Sequence, residues 1–237
     1  MNANSQDPEK GKRLQKERRR YLLTLMTSVT SGITDIDNYY FNHVFIFFGF
    51  TGSGKDTVID GFLEQNTKYP FSKFVRTMTR PKRSNENEIL SGYFVEKELF
   101  DHLKERGRFF YYYEKYDGDE FGYDATHLIF TLSRGHVIMV GGNEKNLKGL
   151  TSGIRSVFNN IPITTVFINR PKEDIIEGIK KRGGDPEQIQ KRIKAIEEGW
   201  YQDSLFCDHS IWNTDSAKSI KDFQELVELT LKKKGGA

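Results

Sequence analysis

Apolar runs of strand length alternate with helical patterns along most of the chain. HVFIFFG (43–49) is rich in β-branched and aromatic residues, as suits a strand buried on both faces. KDTVIDGFLEQ follows, with Val58, Phe62 and Leu63 at helical spacing. Further strands are expected at FSKFVRTMT (71–79), HVIMVGG (136–142), TTVFINR (164–170) and DHSIW (208–212). Helices are expected near 144–158, 171–182, 186–202 and 216–233. This alternation predicts a parallel sheet with crossover helices. It breaks between Arg80 and about Arg134, where GYFV, RFFYYY and EFGYD surround a helical pattern over EKELFDHLKER, so a small α+β insertion is expected there. Tyr111, Tyr112, Tyr113 and Tyr116 read mostly as strand filling with hydroxyls at the solvent edge. Residues 1–42 form a separate basic leader, with a helical pattern over RLQKERRRYLLTLMTSV and a turn-rich SGITDIDN.

The junction of the first strand and helix carries GFTGSGKDT: Gly49, Phe50, Thr51, Gly52, Ser53, Gly54, Lys55, Asp56 and Thr57. It matches the phosphate-loop pattern G-x-x-x-x-G-K-[ST] except at its last position, where Asp56 replaces the hydroxyl. Glycines let consecutive N–H groups face one anion, the helix N-terminus adds its dipole, and Lys55 brings a mobile charge to the β- and γ-phosphates. Such enzymes also place a magnesium-holding carboxylate on a neighbouring strand. HVIMVGGNE has Met139 and Gly141 where acids are sought. Asp56, with Thr57 as a nearby hydroxyl, is therefore expected to hold part of the Mg²⁺ that accompanies ATP, in preference to merely capping its helix.

Two further groups extend this chemistry. TMTRPKR sets Arg80 and Arg83 three residues apart, where two guanidinium forks can grip a phosphorylated acceptor and Tyr93 can add a hydroxyl. IKKRGGDPEQIQKRIKAI sets Arg182 and Arg192 about a Gly183–Gly184 tip, a lid over about 181–193 able to close on the transferring phosphoryl.

Together these residues resemble the guanylate kinase family over about 43–233. The resemblance rests on G-x-x-G-S-G-K, T-x-T-R-x-x-R (Thr77, Thr79, Arg80, Arg83), GYFV, FGYD and R-G-x-x-x-x-x-I-x-x-R ending at Arg192. It implies an α/β fold: a P-loop parallel β-sheet core flanked by helices, with an acceptor-binding insertion over about 80–134 and an arginine-bearing lid. It implies transfer of the γ-phosphoryl group of ATP to GMP or a related nucleoside monophosphate. Lys55, Arg182 and Arg192 would then be catalytic, Arg80, Arg83 and Tyr93 would hold the acceptor phosphate, and Asn213 would lie near the adenine.

Several base-reading positions depart from the family. Arg76 stands where a serine reads guanine, Tyr111 stands where a glutamate is expected, and Phe121 replaces a phosphate-binding tyrosine unless Tyr123 substitutes. Loss of several polar partners at once weakens discrimination of the base. The ribose 1,5-bisphosphate kinases are also similar, in G-S-G-K-D, in a Glu-Asn pair (Glu86, Asn87) and in a V-N-G-like third strand (VGGN, ending at Asn143). That resemblance implies a sugar phosphate acceptor served by Arg76, Glu86 and Asn143.

A reading from another class is a guanylate-kinase-like binding module without catalysis, against which the retained Gly49, Gly54 and Lys55 weigh. A nucleic-acid-associated NTPase using the leader has little support. The net charge is +3, with much of the excess between Lys10 and Arg20. Cys207 is the single cysteine, excluding an intrachain disulfide. No apolar run approaches the roughly 20 residues that span a bilayer, and no signal-peptide pattern opens the chain, so a cytoplasmic protein is expected, with no membrane partner. His43, His102, His127, His136 and His209 lack metal-ligand spacing and read as structural.

Overall fold

Five consecutive buried residues, Val44–Phe48, form strand β1 at the centre of a sheet. The protein is described by a computed structural model over residues 42–82, 86, 91–115, 118–142, 145–182, 186–198 and 206–232. The expected leader helix, Tyr116 and the 199–202 end of the third expected helix lie outside the described residues. Among the described residues two compact units are distinguished. One comprises 43–72, 134–148 and 162–232; the other comprises 42, 73–133 and 149–161.

The first unit is built on a sheet of order β2-β7-β1-β8-β9, with β2 Phe71–Lys73, β7 His136–Gly142, β8 Ile163–Asn169 and β9 His209–Trp212. The β1–β7, β1–β8 and β8–β9 pairs are parallel. Phe45 and Phe47 point to one face, where helices α1 (Lys55–Gln65) and α7 (Ser216–Lys232) cover them with Val58, Ile59, Phe62, Ile220, Phe223 and Val227. The Phe223 ring meets Phe45, Phe47 and Phe62 edge-on or nearly so, at 5.6, 4.7 and 4.7 Å between centroids. Truncating such a buried ring costs roughly 3–5 kcal/mol. Helices α5 (Lys172–Arg182) and α6 (Pro186–Glu197) build a smaller cluster from Ile175, Ile179 and Ile196.

The second unit is a four-stranded sheet of order β4-β3-β6-β5: β3 Thr77–Met78, β4 Tyr93–Phe94, β5 Phe109–Glu114 and β6 Glu120–Asp124. The β3–β6 and β5–β6 pairs are antiparallel and β3–β4 is parallel. Its helices are α2 (Lys97–Glu105), α3 (Ala125–Leu132) and the part of α4 (Lys145–Val157) from residue 149 on. Gly153 lets α4 approach β5, since a side-chain carbon there would stand 2.7 Å from Phe110 O.

Two local expectations are corrected. FSKFVRTMT is not one strand: Phe71–Lys73 joins the first sheet and Thr77–Met78 the second. The break falls where Phe74 turns its ring onto Tyr123 and His127, and where the Val75 N–H donates to His127 Nε2 at 3.2 Å instead of to a strand. Residues 80–134, expected to hold one helix, also hold a second, α3, over ATHLIFTL. Its cap is the Asp124 carboxylate, which accepts from the His127 N–H at 3.0 Å, and its buried face is Leu128, Ile129 and Leu132. The α/β class, with a parallel sheet flanked by helices, is as expected. No described helix is long and apolar enough to cross a membrane.

Candidate active site

The P-loop leaves the C-terminal end of β1, the end at which ligands bind in open parallel sheets. Gly54 closes it as the residue before α1, at φ 86° and ψ 19°, in the left-handed region, and no side chain caps the helix there. A side-chain carbon at position 54 would also sit 2.1 Å from Asn213 Nδ2, so conformation and space both demand glycine. Asn213 follows β9, is 4% exposed, and donates from Nδ2 to Ser53 O at 2.7 Å, while its own N–H donates to Asn169 O at 2.7 Å. Its amide thus braces the loop.

Lys55 Nζ donates to Gly49 O at 2.7 Å and Phe50 O at 2.6 Å, and stands 3.4 Å from Ser53 Oγ. Its ammonium is held over the loop by the loop's own carbonyls, bonds that phosphate oxygens can replace. Asp56 and Thr57 are exposed in the first turn of α1, where a carboxylate is favoured by the helix dipole. Thr51 is exposed, Gly52 and Ser53 are buried, and Gly49 and Phe50 are half-buried.

The Phe48 ring fills the space beside Gly141, where a side-chain carbon would lie 2.2 Å from Phe48 Cε1, so a side chain at this position would require that ring to move. Among the described residues no group of three or more His, Cys, Asp or Glu is gathered for a metal. Magnesium bound with a nucleotide needs only one or two protein oxygens beside phosphates and water. An exposed Asp56 carboxylate next to the Thr57 hydroxyl fits that requirement.

In the second unit, Arg80 and Glu86 form a two-pronged ion pair, with Nη1 2.7 Å from Oε2 and Nη2 bonded to Oε1. Arg80 Nη1 also donates to Pro81 O at 2.9 Å, and its guanidinium lies 5.2 Å from the Phe94 ring centre. Tyr93 is exposed beside Arg80's strand neighbours and meets His127 edge-on at 5.8 Å. Arg83, Asn87, Asn143, Gly183 and Gly184 lie outside the described residues, as does the side chain of Arg182. Arg182 ends α5, and Arg192 lies half-buried on α6.

Arg76 sits among aromatic rings. Its guanidinium lies 5.1 Å from the Phe121 centroid and donates from Nη1 to Tyr113 OH at 3.3 Å. Tyr123, fully buried, hydrogen-bonds the same guanidinium; burial pushes its hydroxyl well above the ordinary tyrosine range. Burial and the neighbouring Tyr113 push Tyr111 up to about 12. These phenols are neutral at physiological pH. Burial lowers the His127 imidazole below its ordinary value, against the opposing pull of Asp124.

Residue patterns alone did not single out Arg170, Tyr113 or Phe94. Arg170 Nη1 donates to Gly52 O at 3.3 Å, and its Nε stands 3.7 Å from Asp174. The signal available was its place just after β8, the neighbour of β1, at the same end of the sheet as the P-loop. The histidines described are structural in placement: His43 Nε2 pairs with Thr164 Oγ1 at 2.7 Å, and His136 Nδ1 accepts from the His43 N–H at 3.0 Å.

A P-loop on a parallel sheet, in a chain that also carries a separate small sheet bearing arginines, defines a P-loop phosphotransferase of the nucleoside monophosphate kinase type. The chain belongs to the guanylate kinase family, whose family model matches residues 42–230. It is 28% identical over 180 residues to the guanylate kinase of Vibrio cholerae, covering 75% of this chain and 83% of that one. To the guanylate kinase of Mycoplasmoides gallisepticum it is 25% identical over 181 residues, covering 76% and 88%. Its fold is similar to the crystal structure of guanylate kinase from Anaplasma phagocytophilum, with TM-score 0.57, 18% identity, and coverage of 80% of this chain and 86% of that one.

Proposed function

We propose that the protein is an ATP-dependent kinase that moves the γ-phosphoryl group to a phosphorylated small-molecule acceptor, GMP or a related nucleoside monophosphate. The observation that carries this reading is the P-loop: an ammonium poised over main-chain groups at the start of α1, closed by a left-handed Gly54. Main-chain amides and Lys55 would hold the β- and γ-phosphates. Asp56 and Thr57 would hold Mg²⁺, which supplies charge neutralisation between the phosphates when bound. Arg182 and Arg192 would balance charge developing on the transferred group from a lid formed by α5 and α6. Catalysis in this scheme is positioning and electrostatics, with no covalent intermediate on the protein.

Arg80, Arg83 and Tyr93 would hold the acceptor phosphate. Glu86 would hold the Arg80 fork over Phe94 until an acceptor competes for it. A second reading, a kinase of a sugar phosphate such as ribose 1,5-bisphosphate, is favoured by one observation: Arg76, at the position where a guanine-reading serine is expected, is held by Tyr113, Tyr123 and Phe121. Asn143 would serve that acceptor as well. A binding module without catalysis is disfavoured by the intact loop and would show no magnesium-dependent ATP affinity.

The test is a coupled ADP-release screen with Mg·ATP across GMP, dGMP, other nucleoside monophosphates and ribose bisphosphates, with Lys55→Ala as control. Turnover with one acceptor, lost in Lys55→Ala, supports the reading; turnover unchanged in that variant sinks it.

A further inference from the structure

The side chain of Phe50 has no part in a phosphate-binding loop, whose contacts are made by backbone and by Lys55. Its ring packs instead against the cluster of Ile175, Ile179 and Ile196 that joins α5 to α6, and meets the Phe167 ring edge-on at 6.2 Å. The same stretch is gripped twice more. A side-chain carbon at Gly52 would touch Ile175 Cγ2 at 3.4 Å and Ile179 Cγ1 at 3.6 Å, and Arg170, just ahead of α5, donates to Gly52 O at 3.3 Å. Phe50 and Gly52 are therefore docked onto the α5–α6 pair, while Asn213 holds Ser53 O.

From this we infer that Phe50 is a positioning residue that couples occupancy of the P-loop to the placement of α5 and α6. The physical ground is that a packed apolar contact does not deform gradually. Phosphate oxygens that take Lys55 from Gly49 O and Phe50 O change the hydrogen bonding of the residue whose ring packs on the cluster that joins the two helices. A shift at Phe50 must move its partners or leave a void. Nucleotide binding thereby biases the helices that end in Arg182 and carry Arg192. This inference rests on the proposed kinase reading for its use.

The experiment is backbone hydrogen exchange on the full chain, read over 174–180 and 189–196, with and without magnesium and the non-hydrolysable analogue adenylyl imidodiphosphate. Wild type is compared with Phe50→Ala and Phe50→Leu. The wild type should show slower exchange in both segments when the analogue binds. In Phe50→Ala at saturating analogue that slowing should be lost, while protection of 55–60 on α1 remains; Phe50→Leu should restore it. The kinetic counterpart is a fall in kcat of about 100-fold, the cost of a displacement on the scale of 1 Å, with KM for ATP changed less than kcat. If Phe50→Ala binds the analogue and protects both segments as wild type does, the coupling is wrong and the kinase reading stands. If the analogue binds wild type with no change in either segment, the coupling is likewise wrong. If wild type binds no analogue, the kinase reading falls and takes the coupling with it. Phe50→Leu keeps the test open should the alanine variant fold poorly.

Discussion

Asn213 Nδ2 donates to Ser53 O at 2.7 Å, and the carbon that any residue but glycine would add at position 54 would lie 2.1 Å from that same nitrogen. One amide from the strand end thus sets the path of the loop, and the loop has room for that amide only because residue 54 has no side chain. Gly54→Ala should abolish measurable nucleotide binding. It combines the clash with a left-handed conformation that costs a non-glycine residue about 1–2 kcal/mol. Asn213→Ala should lower stability by about 1 kcal/mol for the lost buried hydrogen bond. The double variant should recover part of the binding lost in Gly54→Ala, since the clash is gone and the backbone strain is not. Titration with ADP and thermal unfolding check all three.

Asp56 is predicted to set the magnesium requirement. Asp56→Ala and Asp56→Ser should raise the Mg²⁺ concentration needed for half-maximal turnover by about tenfold, an effect of about 1.4 kcal/mol. The measurement is turnover against free magnesium at fixed ATP. An unchanged magnesium profile in both variants assigns Asp56 to the helix terminus alone.

Tyr123→Phe removes a hydroxyl from Arg76 and leaves the ring that packs on Phe74. The variant should fold, lose about 1 kcal/mol of stability, and raise KM for the acceptor several-fold while leaving KM for ATP unchanged. Steady-state kinetics with each substrate varied in turn reads the difference. An equal change in both KM values would show that the tyrosine supports the fold alone.

His127 should make stability fall with acid. Its imidazole is lowered below the ordinary value of about 6.5 mainly by burial, and its Nε2 accepts from the Val75 N–H. A depressed basic group contributes nothing to the pH dependence well above 6.5, where folded and unfolded chains both hold it neutral. Below that value the unfolded chain binds the extra proton, and stability drops until the folded-state value is also passed. Thermal midpoints should therefore decline below about pH 6.5, and His127→Gln should flatten that part of the curve.

The first strand, the loop and α1 were legible in sequence because they are local: a buried run, a glycine turn and a helical pattern within 23 residues, 43–65. The Arg80 and Glu86 positions were also marked, although their pairing to each other was not. What the pattern hid depends on distant residues. The break of 71–79 into two sheets follows from His127, 52 residues beyond Val75. The bond that aims Asn213 at the loop spans 160 residues. Helix α3 was obscured by its aromatic and β-branched surroundings, with its cap, Asp124, reading as the end of a strand.

Transfer of label from [γ-³²P]ATP to a phosphorylated acceptor tests the kinase reading most directly. With Mg²⁺ present, label should appear in a phosphorylated acceptor with the wild type, and Lys55→Ala should reduce its rate by at least about 100-fold while keeping the wild-type circular dichroism spectrum. Label transfer that survives the loss of Lys55, or ATP binding with no label passing to any nucleoside monophosphate or sugar phosphate, would contradict it.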